Sequence, residues 1–455
     1  MLDYLESLVG QFKGFGECRW EERKQLSLTI EDGIVKKLGS NYYEGAFLRI
    51  KGKEGWISSS VVGRHKRDIE RIWREMLSCV RPQALHISFT PLRERKILSL
   101  EEDPEKVSIE EKKELLKNLE SYAKKESHYI THTHLSYFEE KIRKGVVNSL
   151  GTKVEEVISR ITVKILVVAQ AHGETQASIE SRAWTGGFEI MRNLKPEDFS
   201  IPPVQRAIEL LRASPPPSGV FPVIVSPQVS GILAHEALGH NLEGDHIIHG
   251  QSLLKGKIGE RIGSSFITLV DDPTYPGAYG SYFFDDEGIK GKKKILVKEG
   301  CICGFLHSLE TAEILSQPPT GNARAENYHF PPLVRMSNTY FLPGQMQLEE
   351  MIEKLKQGIL VEKVGRGGYV LPEKGEFMLN IDYSFWIERG RKKKLLKNLS
   401  LSGNTLETLH GVKGASSHFS LSGSGGTCGK EGQGVPVEDG GPYFLIEKML
   451  VGGRV

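Results

Sequence analysis

The segment G-I-L-A-H-E-A-L-G-H-N-L-E-G-D, residues 231–245, is the stretch around which the rest of the chain is best interpreted. It places His235, Glu236 and His240 in one short helical segment. Two neutral imidazoles can hold Zn²⁺, and a glutamate between them can take a proton from bound water. The segment therefore indicates a zinc hydrolase.

The spacing of the two histidines is H-E-x-x-x-H, which is one residue longer than H-E-x-x-H. In a regular α-helix a five-residue step turns the second ring about 140° away from the first, so the two cannot share one ion. Either the histidines cap or pack a helix end, or the helix is overwound, bulged or broken between them. Gly239 is the position where we expect such a distortion to cost least.

Several motifs of the second half resemble the TldD/PmbA family, whose TldD-type members are zinc metallopeptidases. The motifs lie at residues 235–245, 271–288 (D-D-P-T-Y-P-G-A-Y-G-S-Y-F-F-D-D-E-G), 334–340 (V-R-M-S-N-T-Y) and 426–433 (G-T-C-G-K-E-G-Q). The first half looks similar only in its opening hairpins and general order.

The resemblance implies a set of site residues. The zinc ligands would be His235, His240 and Cys428, and Glu236 would be the general base on zinc-bound water. If Cys428 is not a ligand, the acidic residues that close the first motif are the next place to seek one. The resemblance also implies that the substrates are unfolded peptides, bound as an added strand in an enclosed cleft. It further implies a homodimer, or a heterodimer with a PmbA-type subunit that lacks the metal motif.

The bulk composition excludes several classes of protein. The chain has 455 residues and a net charge of +2, with lysine and arginine dispersed, so direct binding to nucleic acid is not supported. No apolar run is long enough to span a membrane, and the N-terminus does not resemble a signal peptide. Five irregularly spaced cysteines fit a reducing compartment. We therefore expect a cytoplasmic protein that does not bind membranes.

The pattern of apolar residues predicts an α+β fold with antiparallel or mixed sheets and covering helices. Alternation predicts successive hairpins at residues 26–38 and 46–59, and more strands over 129–184. Helical spacing is found at 69–80, and a capping box opens a helix at 108–125.

Length and a proline-rich stretch at residues 214–222 predict two domains. Residues 1–213 would form an N-terminal α+β domain, ending in one helix over 196–213. Residues 214–455 would form a β-rich metallopeptidase domain that carries both the histidine motif and the glycine-rich cysteine loop.

Two stretches of the second half are predicted to be loops. Residues 271–288 are rich in proline, glycine and tyrosine, and we expect them to line the substrate site. Residues 420–434 form a glycine-rich tract with one thiol, Cys428, expected to be a mobile or tightly turned loop. Its glycines and Lys430 also suggest a phosphate loop, but the G-x-x-x-x-G-K-[ST] spacing is absent.

The function predicted from these features is a zinc-dependent peptidase that cleaves unfolded or extended peptides. One alternative is a non-catalytic modulator, since the family has also been described as modulating DNA gyrase. Another alternative is a zinc-dependent hydrolase of non-peptide amides. The joint presence of His235, Glu236, His240 and Cys428 disfavours the modulator.

Overall fold

The N-terminal half of the chain contains a first sheet. The computed structural model describes residues 1–10 and 12–453. The strands are β1 (Gly16–Glu31), β2 (Ile34–Gly52), β3 (Gly55–Val62), β4 (Arg93–Ile97), β5 (Ile130–Asn148), β6 (Lys153–Ala171) and β7 (Glu174–Thr185). Their order is β3-β2-β1-β5-β6-β4, with β7 also paired to β6. All pairs are antiparallel except β4 with β6. Both predicted hairpins are confirmed.

Local turn chemistry explains the hairpins. Asp32 and Gly33 connect β1 to β2 with φ angles of 48° and 84°. Positive φ at both central residues is typical of a turn whose twist matches that of paired strands, and glycine adopts it without strain. His172 and Gly173 connect β6 to β7 in the same way, with φ angles of 52° and 79°.

Helices cover this sheet, as predicted. They are α1 (Leu2–Val9), α2 (Lys66–Cys79), α3 (Ile109–Glu126), α4 (Glu189–Arg192), α5 (Pro196–Phe199) and α6 (Ile201–Leu210), with a 3₁₀ turn at Pro104–Lys106. The Ser108 hydroxyl caps α3 by accepting a hydrogen bond from the Glu111 amide. Leu116 of α3 and Val204 of α6 are buried in one core with Val163 of β6, so both helices pack on the same sheet.

The single helix predicted over residues 196–213 is wrong. The chain instead forms α5 and α6, which meet at Ser200, and α6 ends at Leu210. Pro202 and Pro203 lack amide hydrogens and are tolerated only in a first helical turn, so a second helix must begin there.

A second, larger sheet follows. Its strands are β8 (Gly219–Val225), β9 (Leu269–Asp271), β10 (Lys294–Lys298), β11 (Cys301–Ile302), β14 (Asn338–Phe341), β15 (Gln357–Leu371), β16 (Glu376–Glu388), β17 (Arg391–Leu396), β18 (Leu399–Asn404), β19 (Val412–Leu421), β20 (Gly426–Lys430) and β21 (Gln433–Gly453), and a separate short ladder joins β12 (Ala323–Arg324) to β13 (Leu333–Val334). The sheet is mixed, because β14 pairs with β21 and β15 with β8 in parallel. The β-rich second half is thus as predicted.

Part of this sheet closes on itself. The order runs β11-β10-β9-β14-β21-β18-β16-β15-β8, and β8 also pairs with β21. Strands β21, β18, β16, β15 and β8 therefore form a closed ring of pairings, whose inward apolar residues include Val223, Ile359, Leu379 and Phe444. The helical segments of this half are α7 (Pro227–Ile232), a π-helix (Leu233–Gly239), a 3₁₀ turn (His240–Leu242), α8 (Gly244–His249), α9 (Leu309–Ile314), α10 (Leu348–Lys354) and α11 (Thr405–His410).

Buried ionic contacts join the first sheet to a loop of the second half. Arg49 of β2 bonds to Glu287 at 2.5 Å, and Lys144 of β5 bonds to Asp286 at 2.9 Å. Both carboxylates belong to the loop predicted to line a substrate site, so the acidic end of that loop holds the halves together. The division into domains at residues 213 and 214 lies between the two sheets and stays a prediction.

Candidate metal centre

The histidine motif lies on a π-helix. The chain leaves β8 as the regular helix α7 and continues as the π-helix Leu233–Gly239 and a 3₁₀ turn. The His240 amide donates to the carbonyl oxygen of His235, five residues earlier. This hydrogen-bond pattern brings residues five apart onto one face. The two ring centroids are 5.2 Å apart, so the predicted departure from α-geometry between the histidines is confirmed.

Gly239 is needed for the space that it leaves, and not for the conformational freedom that was expected to matter there. Its φ and ψ of −59° and −48° are ordinary helical values, so conformational freedom is not used there. A Cβ at this position would lie 2.1 Å from Met336 Sδ and 2.9 Å from the Ala234 carbonyl oxygen. Both contacts are far inside normal van der Waals separations, so the glycine provides space.

The expected glycine-rich loop is instead a β-hairpin. Strands β20 and β21 pair in register from Gly426–Val437 to Lys430–Gln433. Glu431 and Gly432 form the connecting turn, with φ angles of 49° and 75°. A run of glycines predicts a loop because glycine weakens strands. Here the tight turn and the pairing with the long strand β21 stabilise a strand despite the glycines.

This hairpin positions Cys428 beside the two histidines. Its Sγ atom lies 3.5 Å from His240 Nε2, and ligand atoms of His235, His240 and Cys428 all lie within 4.8 Å of one another. All three side chains are buried. The structure thus brings together the three residues predicted as metal ligands; their coordination of an ion remains a prediction.

The donors of this cluster fit Zn²⁺. Within residues 1–10 and 12–453, neither ring nitrogen of His235 has a partner at normal hydrogen-bond geometry, although both are buried and a close polar neighbour is the Cys428 thiol of the same cluster. A buried imidazole without a partner is costly, and such groups in native structures are commonly explained by an ion or water. Two imidazole nitrogens and one thiolate form a ligand set that suits zinc and leaves a fourth position open.

The electrostatics favour a thiolate. Burial raises the pKa of the Cys428 thiol, but the neighbouring His235 and His240 imidazoles lower it to about 4. Burial lowers the pKa of His240, whereas the Glu243 carboxylate and Cys428 raise it well above its usual value. Cys428 is therefore in the deprotonated form that metals bind.

Glu236, the predicted base, lies at the edge of the cluster. One carboxylate oxygen is 3.8 Å from His240 Nε2, and the side chain is 44% exposed. It therefore remains open to water and substrate while the two histidines beside it are buried.

A second set of charged residues surrounds His240, and sequence reasoning missed its arrangement. The Glu243 carboxylate lies 3.0 Å from His240 Nδ1. Lys430 Nζ donates to Glu243 at 2.9 Å and to Asp245 at 2.7 and 2.8 Å. From the sequence, Glu243 and Asp245 are only possible substitute ligands, and Lys430 is only a candidate phosphate binder. The available signal was the position of Lys430 two residues after Cys428 in a strand, which puts both on one face.

A cavity of about 390 Å³ lies between the two sheets, and some of its lining residues neighbour the histidine and cysteine segments in sequence. Its lining includes Ile179, Ser181, Ile232, Tyr279, Gly425 and Thr427. Ile232 directly precedes the π-helix, and Thr427 directly precedes Cys428. Tyr279 belongs to the loop expected to line a substrate site, and that expectation stays a prediction.

No helix in the described part of the chain is both long and apolar enough to cross a membrane.

Most of the chain matches known proteins. Residues 102–214 match the family model for the PmbA/TldA metallopeptidase central domain, and residues 218–453 match the model for its C-terminal domain. A metalloprotease of Methanothermobacter thermautotrophicus is 35% identical over 456 residues, covering 99% of each chain. A zinc metalloprotease TldD homolog of Saccharolobus solfataricus is 34% identical over 331 residues, covering 70% of this chain and 71% of its own.

Solved structures share the fold. TldE from Thermococcus kodakarensis superimposes with a TM-score of 0.77 at 19% identity, covering 99% of both chains. A proposed modulator of a DNA gyrase from Thermotoga maritima superimposes with a TM-score of 0.79 at 21% identity, covering 96% of both chains. At these identities the likeness concerns the fold alone.

Proposed function

This chain belongs to the PmbA/TldD metallopeptidase family, and from that premise we propose that it is a zinc-dependent peptidase acting on extended, unfolded peptides. The observation that carries the proposal is the buried cluster of His235, His240 and Cys428, whose ligand atoms lie within 4.8 Å of one another.

The proposed roles follow from the position of each side chain. His235, His240 and Cys428 hold the ion, which when bound supplies Lewis acidity that polarises a carbonyl group and acidifies water. Glu236 accepts a proton from the attacking water and later returns it to the leaving amine. Its exposure supports this assignment, because a base must reach both water and substrate.

The cavity between the sheets is the proposed peptide site. Strand β7 pairs with β6 and with no other strand of the described chain, and its residues Ile179 and Ser181 line the cavity. The Ala183 amide of β7 donates away from β6, to the Gly423 carbonyl at 2.9 Å, so alternate backbone groups of β7 point outwards. The Ile179 and Ser181 carbonyls of this edge accept hydrogen bonds from Arg206 and Arg182. An extended peptide that displaces these side chains can add to the edge through main-chain hydrogen bonds, with little side-chain specificity.

We propose that the enzyme is cytoplasmic, because unpaired cysteines fit a reducing compartment, and the unpaired ones here are Cys18, Cys79, Cys301, Cys303 and Cys428. We also propose that it works as a dimer, either with itself or with a PmbA-type subunit. Sedimentation of the purified chain, alone and mixed with such a subunit, should give a species of twice the monomer mass; a monomer under both conditions would contradict the proposal.

A gyrase-modulator function is less well supported. It would need no metal and would leave a buried thiolate and a buried imidazole without a purpose. A zinc-dependent hydrolase of non-peptide amides would share this centre, and it differs in substrate alone.

The peptidase is tested by metal content and cleavage together. The purified chain should hold about one zinc, and should cleave an unfolded polypeptide until a chelator removes the ion. Re-addition of zinc should restore cleavage. Full activity in the chelated protein would contradict the mechanism, and cleavage of small amides but not of polypeptides would favour the non-peptide hydrolase.

Glu236→Gln should retain zinc and lose about 10²–10⁴-fold in activity, since proton transfer and not ligation is removed. The matched control is Glu431→Gln, the same chemical change at the exposed tip of the cysteine hairpin, which should leave activity unchanged. A Glu236→Gln protein that cleaves normally would exclude the proposed base.

A further inference from the structure

The ammonium group of Lys430 is buried among oxygen atoms of the histidine segment. It donates to Glu243 at 2.9 Å, to Asp245 at 2.7 and 2.8 Å and to the Val334 carbonyl at 3.1 Å. The Lys430 side chain is 6% exposed and that of Glu243 is fully buried. A buried charge must be compensated, and here each charge compensates another.

Glu243 determines which nitrogen of His240 faces the cysteine. Its carboxylate lies 3.0 Å from His240 Nδ1 and can only accept a hydrogen bond. An imidazole must be neutral to bind a metal ion, and in that form the single proton of His240 resides on Nδ1 while Nε2 presents its lone pair. Nε2 is the atom 3.5 Å from Cys428 Sγ. Carboxylates in this position fix the ring and the tautomer of metal-binding histidines.

Lys430 connects the same carboxylate to the strand that carries the cysteine. Cys428 and Lys430 are two residues apart on β20 and both are buried, whereas Gly429 between them is exposed. Successive side chains of a strand point to opposite faces, so the thiol and the ammonium enter the protein side by side. The contact of Lys430 with Glu243 thus fastens β20 to the histidine segment.

We propose that Glu243 and Lys430 are positioning residues that assemble the three-ligand site before an ion arrives. Glu243 holds the His240 ring, and Lys430 docks Cys428 against it through the same carboxylate. This inference rests on the proposed function, since it supposes that the cluster binds zinc.

The neighbouring group of His240, Glu243 and His246 is not a second cation site. Its potential ligand atoms lie within 4.8 Å of one another. However, Glu243 is already bonded to His240 and to the Lys430 ammonium, whose positive charge would repel a metal ion. His246 Nδ1 lies 2.9 Å from the His240 carbonyl and so helps to fix the backbone there.

Zinc affinity, measured by competition with a chromophoric chelator, tests the proposal. Glu243→Gln and Lys430→Met should each bind zinc about 10- to 100-fold more weakly than the unmodified chain. The matched control is Lys112→Met, which breaks a buried pair with Glu139 (2.6 Å) in the first half of the chain. It should lower thermal stability and leave zinc affinity unchanged.

The double variant Glu243→Gln/Lys430→Met separates positioning from simple stability. Lys430→Met leaves both Glu243 and Asp245 without the ammonium, whereas the double variant leaves only Asp245, so it should regain part of the thermal stability that Lys430→Met loses. Its zinc affinity should stay low. If the variants unfold more readily but bind zinc as tightly as the unmodified chain, the positioning role is excluded and the peptidase proposal stands. If the unmodified chain itself binds no zinc, both proposals are wrong.

Labelling of the metal-free protein provides a second readout. Cys428 is 4% exposed, and its alkylation requires β20 to move. In metal-free Lys430→Met the peptide containing Cys428 should be alkylated faster than in the metal-free unmodified chain, and in Lys112→Met it should not. Equal rates in Lys430→Met and the unmodified chain would show that Lys430 does not hold the strand.

Discussion

Replacing Gly239 by alanine should weaken zinc binding without touching a ligand. The new Cβ would lie 2.1 Å from Met336 Sδ and 2.9 Å from the Ala234 carbonyl oxygen. Because carbon contacts are optimal at about 3.5–4.0 Å, the sulfur would have to retreat by roughly 1.5 Å. Met336 is flexible but fully buried, and the Ala234 carbonyl belongs to the π-helix itself.

This strain can be relieved if the segment changes its helical geometry. Overpacking of this kind costs about 1–3 kcal/mol. Alanine favours α-helix over glycine by roughly 1 kcal/mol, so the metal-free segment should relax towards α-geometry. In that geometry His235 and His240 are about 140° apart around the axis. Zinc must then restore the π-helix, and 1–3 kcal/mol corresponds to binding that is about 5- to 140-fold weaker.

The assay is chelator competition for zinc affinity, with thermal unfolding measured with and without zinc. Gly429→Ala is the matched control, because Gly429 adjoins Cys428 and an added Cβ there meets no atom within 4 Å. It should bind zinc normally. A folded Gly239→Ala protein with unchanged zinc affinity would refute the link between the π-helix and ligation.

Three further outcomes are expected. Cys428→Ser should lose zinc and activity together, whereas the buried Cys18→Ser should keep the zinc content of the unmodified chain; stoichiometric zinc in Cys428→Ser would remove that residue from the site. Thiol reagents should label Cys428 more slowly in the zinc-loaded than in the zinc-free protein, and equal rates would argue against coordination. Burial raises the pKa of Glu438 from 4.5 to about 7, so its contribution to the free energy of unfolding should be full below 4.5 and lost as the pH rises through 7. Denaturant unfolding of Glu438→Gln should show a flatter pH dependence over that range, and an identical profile would contradict the assignment.

Much of the fold was predictable because its signals are local. The hairpin at Asp32 and Gly33 depends on the backbone preferences of two turn residues and on alternation beside them. A departure from α-geometry between the histidines was also predictable, since two rings five residues apart can otherwise not meet, but only the structure shows that it is a π-helix. By contrast, one helix over 196–213 is wrong, because Pro202 and Pro203 fit only the first turn of a helix that begins after Ser200.

The sequence by itself determined the chemistry of the site: two histidines at a spacing that demands a distorted helix, a glutamate beside the first, and one thiol among glycines. The tertiary structure alone decided that Cys428, 188 residues after His240, arrives at that helix on a paired strand. It alone revealed that Gly239 makes room for Met336, and that Lys430 and Glu243 close a buried ion pair over the site. The physical reason is that local sequence sets turns and helix geometry, whereas the register of β20 on β21 and the packing of that hairpin depend on contacts between distant segments.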